Sequence, residues 1–286
     1  MTSSHAMPAP RIISASRRCD IPATHRDWFL RSLRAGSASF THPYSRQPCS
    51  VSLAPNDVIG FVFWSKDFSS FHDVLAEVRS RGFLFYCLYT ITGFTEPLEH
   101  HLTSLHARIR DFQKLSETFG PNSLVWRFDP IVLSPHISPA HTLDRFASIA
   151  AQLSTCSRDC IVSFVQSYPH MLRRLHQRHF HITNPPLEVK RSLLLQIANI
   201  ARTYAFTIRV CCQDELLGGP VKKAHCVDIW RFRELAGATL PNIPLRPTRP
   251  HCGCSASTDI GSYHPCPHAC LYCYAKPSSA SPPPHI

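Results

Sequence analysis

The chain has no uninterrupted apolar run approaching the ~18 residues that a membrane-spanning helix needs, so no membrane partner is expected. Its first stretch, MTSSHAMPAPRIISAS, also lacks a basic start followed by an apolar run of signal-peptide length. These two absences predict a cytoplasmic protein. Disulfides are rare in that compartment, so the thirteen cysteines ask for metal binding or catalysis rather than stapling. No internal repeat of solenoid length is visible. Acidic side chains are scarce, 19 against 30 Lys and Arg, for a net charge of +11 supplied mainly by arginine. That imbalance favours an anionic partner, such as a phosphorylated small molecule or nucleic acid. An arginine-rich surface with no dedicated anionic partner would carry the same charge.

Hydrophobic residues make up 44% of the 286, ample for a buried core. Short apolar runs rich in β-branched and aromatic residues recur at RIISAS (11–16), VIGFVFW (58–64), FLFYCLYTIT (83–92), SLVWRFD (123–129), CIVSFV (160–165) and FTIRVCC (206–212). Each reads as a strand buried on both faces, the habit of parallel sheets. Helical periodicity fills the segments between and after them: His25–Arg34, Phe71–Arg81, Glu99–Phe119, Ala140–Leu153, Leu187–Tyr204 and Val227–Leu235. Six strand–helix units in order predict an α/β fold, a (β/α) TIM-barrel-like sheet in the form of a partial barrel. The expected organisation is a barrel domain over 11–240 and a cysteine-rich tail over 241–276. The tail opens on the Pro/Arg-rich PNIPLRPTRP. Residues 1–10 and 277–286, rich in Pro and Ser, read as mobile ends.

Parallel α/β folds gather their chemistry at the carboxyl ends of the strands. Reading past each predicted strand gives Arg17, Arg18, Cys19 and Asp20; Trp64 and Lys66; Thr90 and Thr92; Arg127 and Asp129; Gln166 and Tyr168; and Cys211, Cys212, Gln213, Asp214 and Glu215. Helix capping accounts for many such acids and hydroxyls. It accounts poorly for Arg17, Arg18 and Arg127, because cations disfavour helix starts. A buried Arg127–Asp129 pair with purely structural duty is the competing reading.

Near the end of the sequence stands CPHACLYCYA, with Cys266, Cys270 and Cys273 in CxxxCxxC spacing. Such spacing lets one loop wrap three thiolates around a soft centre. Zinc would want a fourth ligand, from His264, His268, Cys252 or Cys254, but the second CxxC-like pair of a zinc ribbon is missing. A 4Fe–4S cluster takes one thiolate per iron, so three cysteines leave one iron open to a small molecule. Cys211 or Cys212 with Cys226, Cys252 and Cys254 offers a second site, for zinc or an auxiliary cluster.

The loop CPHACLYCYA resembles the cluster-binding loop of the radical S-adenosylmethionine superfamily, in particular its spore photoproduct lyase branch. That resemblance implies a 4Fe–4S cluster on Cys266, Cys270 and Cys273, and S-adenosylmethionine on the open iron. It also implies reductive cleavage to a 5′-deoxyadenosyl radical, and a flavodoxin- or ferredoxin-like protein as one-electron donor. Tyr272 would lie near the adenine, with His268 as a further contact. Over nearly the whole chain, ISASRRCDIPA, VFWSKD, YTITGF, VWRFDPIVL, IVSFVQSY and CGCSASTDIGSYHPCPHACLYCYA are similar, in order, to the bacterial family called domain of unknown function 1848. Its matching positions include Arg17, Arg18, Asp20, Trp64, Lys66, Arg127 and Asp129. Arg17, Arg127 and Asp129 are the expected positioning groups of catalysis, and Arg18, Asp20 and Lys66 the expected cofactor contacts.

Two departures stand out. The cluster loop comes last, whereas the superfamily places it after the first strand, and no Gly-Gly-Glu follows a second strand. Chain termini are often close in space, so the tail is expected to fold back over the barrel mouth. The alternative is a zinc-containing nucleic-acid-binding protein, motivated by Arg173–Arg174 and Lys222–Lys223. It predicts steeply salt-dependent binding, although no aromatic stacking platform is visible.

Overall fold

A computed structural model describes residues 9–42, 45–263 and 266–275. Most of both expected mobile ends, and His264, lie outside the described residues. Among the described residues, ten strands and eight α-helices follow one another as β1 (Arg11–Ala15), α1 (Ile21–Thr24), α2 (Arg26–Ala35), β2 (Ser37–Thr41), β3 (Pro48–Ser52), β4 (Val58–Ser65), α3 (His72–Ser80), β5 (Leu84–Thr90), α4 (Leu105–Phe119), β6 (Leu124–Ile131), α5 (Pro139–Leu153), β7 (Asp159–Phe164), α6 (Pro169–Gln177), α7 (Leu187–Thr203), β8 (Thr207–Val210), β9 (Lys222–Lys223), α8 (Ile229–Ala236) and β10 (Ser257–Asp259).

Eight strands form one parallel sheet in the order β10-β1-β4-β5-β6-β7-β8-β9. From β1 to β9 the order never reverses. Parallel crossovers are right-handed, so a sheet wound in one direction receives its crossover helices on one face. Side chains alternate accordingly. Phe61, Phe63, Phe85, Tyr89, Trp126 and Phe128 join the core under α2, α3, α4, α5 and α7. Their neighbours Val62, Trp64, Tyr86, Leu88 and Val125 point into a second, smaller core closed by Ile229 and Phe232 of α8. Gly60 lets α8 come close, because a Cβ there would lie 2.4 Å from Phe232 and 2.5 Å from the Leu84 carbonyl. A third cluster joins α6, through Met171 and Leu175, to Phe94, Leu98, Cys270 and Tyr272.

All six expected strands are present within a few residues of their sequence bounds. Four features differ. The helix expected from Glu99 starts at Leu105, capped by the Ser104 hydroxyl accepting from the Ala107 amide at 3.1 Å; Glu99 is instead a buried carboxylate in the preceding loop. Strands β2 and β3 pair antiparallel, from Ser37↔Ser52 to Thr41↔Pro48. Helix α6 follows β7 directly. Finally, the tail contributes β10, which pairs with β1 in the register Ile12↔Ser257, Ile13↔Thr258 and Ser14↔Asp259.

Candidate metal centre

Strand β10 runs parallel to β1, so the segments that follow the two strands emerge together at the carboxyl edge of the sheet. Asp259 ties them. Its carboxylate accepts from Ser14 Oγ and Ser16 Oγ at 2.7 Å, from the Arg17 amide at 2.8 Å and from the Gly261 amide at 3.0 Å. Arg18 lies 3.6 Å from the same carboxylate and donates to the Gly261 carbonyl at 3.1 Å. Gly261 is required by contact: a Cβ there would sit 1.8 Å from Ser16 Oγ.

Beyond this junction the chain makes two tight turns, Ala269 amide to Cys266 carbonyl and Cys273 amide to Cys270 carbonyl, each 3.1 Å. They bring Cys266, Cys270 and Cys273 within electrostatic range of one another. Burial pushes the Cys266 thiol up to about 11, with Asp20 adding to the rise. Burial likewise lifts Cys270 to about 12 although Lys66 pulls the other way. The loop is pinned by the Leu271 amide on the Leu98 carbonyl, by Arg174 on the Cys273 carbonyl and by His170 on the Tyr274 carbonyl.

A buried carboxylate organises the wall behind the loop. Glu99 accepts from Lys66 Nζ at 2.7 Å, from Thr92 Oγ1 at 2.5 Å, from Arg108 at 3.2 Å and from the Tyr272 hydroxyl. Burial opposes its charge, but Lys66 and Arg108 outweigh that and hold it down to about 2. The Tyr272 ring packs against Phe94 (centroids 5.6 Å apart), and Lys66 lies 5.3 Å from its centre. Asp20 caps α1 through the Ala23 amide, accepts from the Lys66 amide and lies 3.4 Å from His268 Nε2. Arg145 stacks 4.2 Å from the Phe94 ring, and its Nε and Nη2 are buried with no hydrogen-bond partner among the described residues. Burial lowers its pKa to about 10, despite Glu99 nearby.

The remaining predicted residues gather at a second group of thiols. Cys211 Sγ lies 3.6 Å from Cys212 Sγ and 3.7 Å from Cys226 Sγ. Further thiol contacts join Cys212 to Cys252, Cys252 to Cys254 and Cys254 to Cys226, closing a ring of five. Consecutive residues in a strand point to opposite faces. Cys211 and Cys212 share a side because they follow the end of β8 and Cys212 turns left-handed, at φ 56°. Gly253 serves close approach: a Cβ would lie 2.8 Å from the Ala224 carbonyl. Arg249 donates to Cys212 Sγ at 3.0 Å and to Cys211 Sγ at 3.5 Å. For Arg17 and Arg127 burial opposes the charge, yet the surrounding thiols and acids (Cys254 first for Arg17, Asp129 first for Arg127) hold both guanidinium groups above their ordinary value.

The structure therefore divides the sequence candidates into two groups. Asp20, Lys66, Tyr272 and His268 stand with Cys266, Cys270 and Cys273. Arg17, paired Arg127–Asp129 and the ring cysteines stand together. Tyr274 links them, donating to the Arg17 carbonyl and lying within electrostatic range of Cys273, Arg127 and Arg249. Sequence reasoning missed Glu99, Arg145, Arg249, Asp259 and Tyr274 as site residues. Of the basic pairs, Arg174 is engaged with the loop and Lys223 with Asp214 at 2.7 Å. Of two surface clefts, one of about 500 Å³ is lined by α6 and the residues after it, such as His176 and Phe180, and one of about 290 Å³ by Asp159, Asp228 and Arg231; neither includes a cysteine. No curated protein matches the chain. The chain belongs to the family described as Domain of unknown function (DUF1848), which matches it over residues 12–275.

Proposed function

We propose that this chain is an iron–sulfur enzyme of the radical S-adenosylmethionine type, built on a barrel-like, singly wound sheet. The observation that carries the reading is the strand order. Although β10 is last in sequence, it is first in the sheet, ahead of β1. The cysteine loop thus follows the first strand of the sheet, the place in which the superfamily puts its cluster loop. Late position in the chain becomes a circular permutation rather than a conflict, and the single winding of the sheet supports the barrel-like form.

What supports a cluster is the chemistry of the donor set: three thiols on one short loop, partly buried, with a wall of hydrogen-bonding side chains behind it. As placed, no three such side chains among the described residues surround one point, so the loop must close around the cluster. Bound there, a 4Fe–4S cluster would supply one electron and an iron position open to a small molecule. The chain's own contribution is positioning. Glu99 fixes Tyr272 and Lys66, and Asp259 fixes the start of the loop against Arg17 and Arg18. Arg145, half-buried beside Phe94 with Nε and Nη2 making no hydrogen bond among the described residues, offers recognition to the carboxylate of S-adenosylmethionine or to an anionic substrate, because a desolvated charge gains most from an opposite one. Arg127 with Asp129 holds a fixed dipole at the strand ends, where orientation and electrostatics act on a reacting group.

Anaerobic reconstitution should give a brown protein with about four iron and four sulfide per chain, and Cys266→Ala/Cys270→Ala/Cys273→Ala should abolish it. Added S-adenosylmethionine and dithionite should then yield 5′-deoxyadenosine. A loaded cluster with no 5′-deoxyadenosine above background would reduce the reading to an iron–sulfur protein. Failure of the wild-type chain to take up iron would end it.

A further inference from the structure

We propose that the ring of Cys211, Cys212, Cys226, Cys252 and Cys254 is a second metal centre that holds one zinc ion through four of its five sulfurs. This inference is independent of the iron–sulfur reading, since it uses none of the cysteines in the 266–273 loop.

Three observations carry it. The first is spacing. Zinc–sulfur bonds of about 2.3 Å at a tetrahedral angle put neighbouring sulfurs about 3.8 Å apart. Cys211 Sγ lies 3.6 Å from Cys212 Sγ and 3.7 Å from Cys226 Sγ, so these sulfurs stand close to the separation of two ligands on one tetrahedral ion. A cluster places each thiolate on a different iron and spreads its ligands further. As placed, no group of three or more His, Cys, Asp or Glu side chains among the described residues could hold a metal ion, so the sulfurs must draw in around the zinc as it binds. The ring is closed by mutual thiol contacts, and ion binding would replace those contacts with bonds to the metal.

The second is charge. All five cysteines are buried, and buried thiols packed only as small hydrophobes sit among apolar neighbours. These five belong to the apolar cluster under α8, and arginines reach them as well. Arg249 donates to two of the sulfurs. Cys254 and Cys226 act on the charge of Arg17, and Cys226 and Cys211 on that of Arg127. Arg127 Nε is also buried without a hydrogen-bond partner. Neutral thiols offer little return for gathering guanidinium groups in this place. A zinc ion with four thiolates carries a net charge of −2, which Arg17 and Arg249 balance while Arg127 stays paired with Asp129.

The third is chain geometry spent on bringing the sulfurs together. Cys212 adopts a left-handed conformation that costs a residue with a side chain on the order of 1 kcal/mol. Gly253 lets the 252–254 segment lie against Ala224 and His225, beside Cys226, with no room for a Cβ. The Val227 amide is directed at Cys254 Sγ at 3.4 Å, and amide-to-sulfur hydrogen bonds are a common support for a metal-bound thiolate. Binding displaces the thiol protons and ties β8, the turn at 226 and the tail at 252–254 to one point. The ion would thereby stabilise the docking of the tail.

The test uses the full-length Cys266→Ala/Cys270→Ala/Cys273→Ala chain, so that the loop contributes no metal. Purified under reducing conditions, it should contain one zinc per chain by elemental analysis. After chelation, one equivalent of cobalt(II) should give the thiolate charge-transfer and intense d–d bands of a tetrahedral sulfur site. Adding Cys226→Ser and Cys252→Ser should remove both signals. Gly253→Ala, which keeps every thiol, should weaken zinc binding at least tenfold in a chelator competition. Cobalt spectra of octahedral oxygen ligation, or zinc retained without Cys226 and Cys252, would overturn the proposal. So would recovery of these cysteines as disulfides under the same reducing conditions, or iron and sulfide in place of zinc.

Discussion

Glu99→Gln replaces the buried carboxylate behind the cysteine loop with a neutral isostere and leaves Lys66 and Arg108 facing it. In the folded protein the carboxyl is held at about 2, from an ordinary 4.5. Because the folded value is the lower one, Glu99 stabilises the fold fully above the unfolded value. That contribution is lost as pH falls from about 4.5 towards about 2. The shift corresponds to about 3 kcal/mol at neutral pH, of which about 2 kcal/mol is gone by pH 3. Breaking a buried ion pair by removing one partner costs about 3–5 kcal/mol. The Lys66 and Arg108 side chains are 14% and 3% exposed, so water can relieve little of that cost. Urea unfolding of the metal-free, reduced proteins should show the variant about 3–5 kcal/mol less stable at neutral pH. The gap should shrink by about 2 kcal/mol near pH 3. Comparing the two proteins cancels every other carboxylate that titrates in the same window. A gap below about 1 kcal/mol at neutral pH, the size of an exposed pair, or one that does not change with pH, would refute the account of Glu99.

Gly261→Ala should push the loop away from β1, because its Cβ meets Ser16 Oγ at 1.8 Å; overpacking costs about 1–3 kcal/mol, and iron uptake on reconstitution should fall while far-ultraviolet circular dichroism stays unchanged. Arg145→Met should stabilise the ligand-free chain by about 1–2 kcal/mol, since burial disfavours the charge it removes. The same variant should lose protection by S-adenosylmethionine in a thermal-shift assay, and a lower melting temperature without ligand would contradict this reading. Gly60→Ala should lower the melting temperature by driving α8 off the sheet, at about 1–3 kcal/mol. Combining it with Phe232→Ala should cost less than the sum of the two single changes, as contacting residues do, and strict additivity would show that α8 does not press on Gly60.

The parallel sheet was legible because its strands are short apolar runs whose alternating residues fill two cores. The three-residue β10 was not. Ser257–Asp259 has no apolar signal, and it becomes a strand only through pairing with β1 and through the hydrogen bonds gathered by Asp259. The β2–β3 pair was hidden for a similar reason: SASFT and PCSVS bury few side chains, so neither shows a strong alternation. Cys266, Cys270 and Cys273 could be found by spacing because one loop carries them. Glu99 escaped because its partners come from residues 66, 92, 108 and 272, and nothing local distinguishes a carboxylate about to be buried from a helix start. The ring was half visible. Sequence spacing offered Cys211 or Cys212, and the left-handed turn at Cys212 brings in both.

Strand order also explains why the two thiol groups flank the same strand. A sheet wound in one direction can accept a late strand only at a free edge, and the edge beyond β1 is where β10 lies. Parallel pairing there forces the chain after Asp259 to leave beside the chain after Ala15. The loop bearing Cys266, Cys270 and Cys273 therefore begins next to Arg17 and Arg18 whatever its own sequence. The segment leading into β10 carries Cys252 and Cys254, and it must approach from α8, which covers the opposite core. One polar strand thus has a thiol pair before it and a thiol triad after it. Asp259 holds that strand from the side chains of Ser14 and Ser16, and Tyr274 closes the circuit on the Arg17 carbonyl. Whatever displaces β10 must disturb both groups of cysteines together, and this mechanical dependence follows from topology without reference to any bound metal.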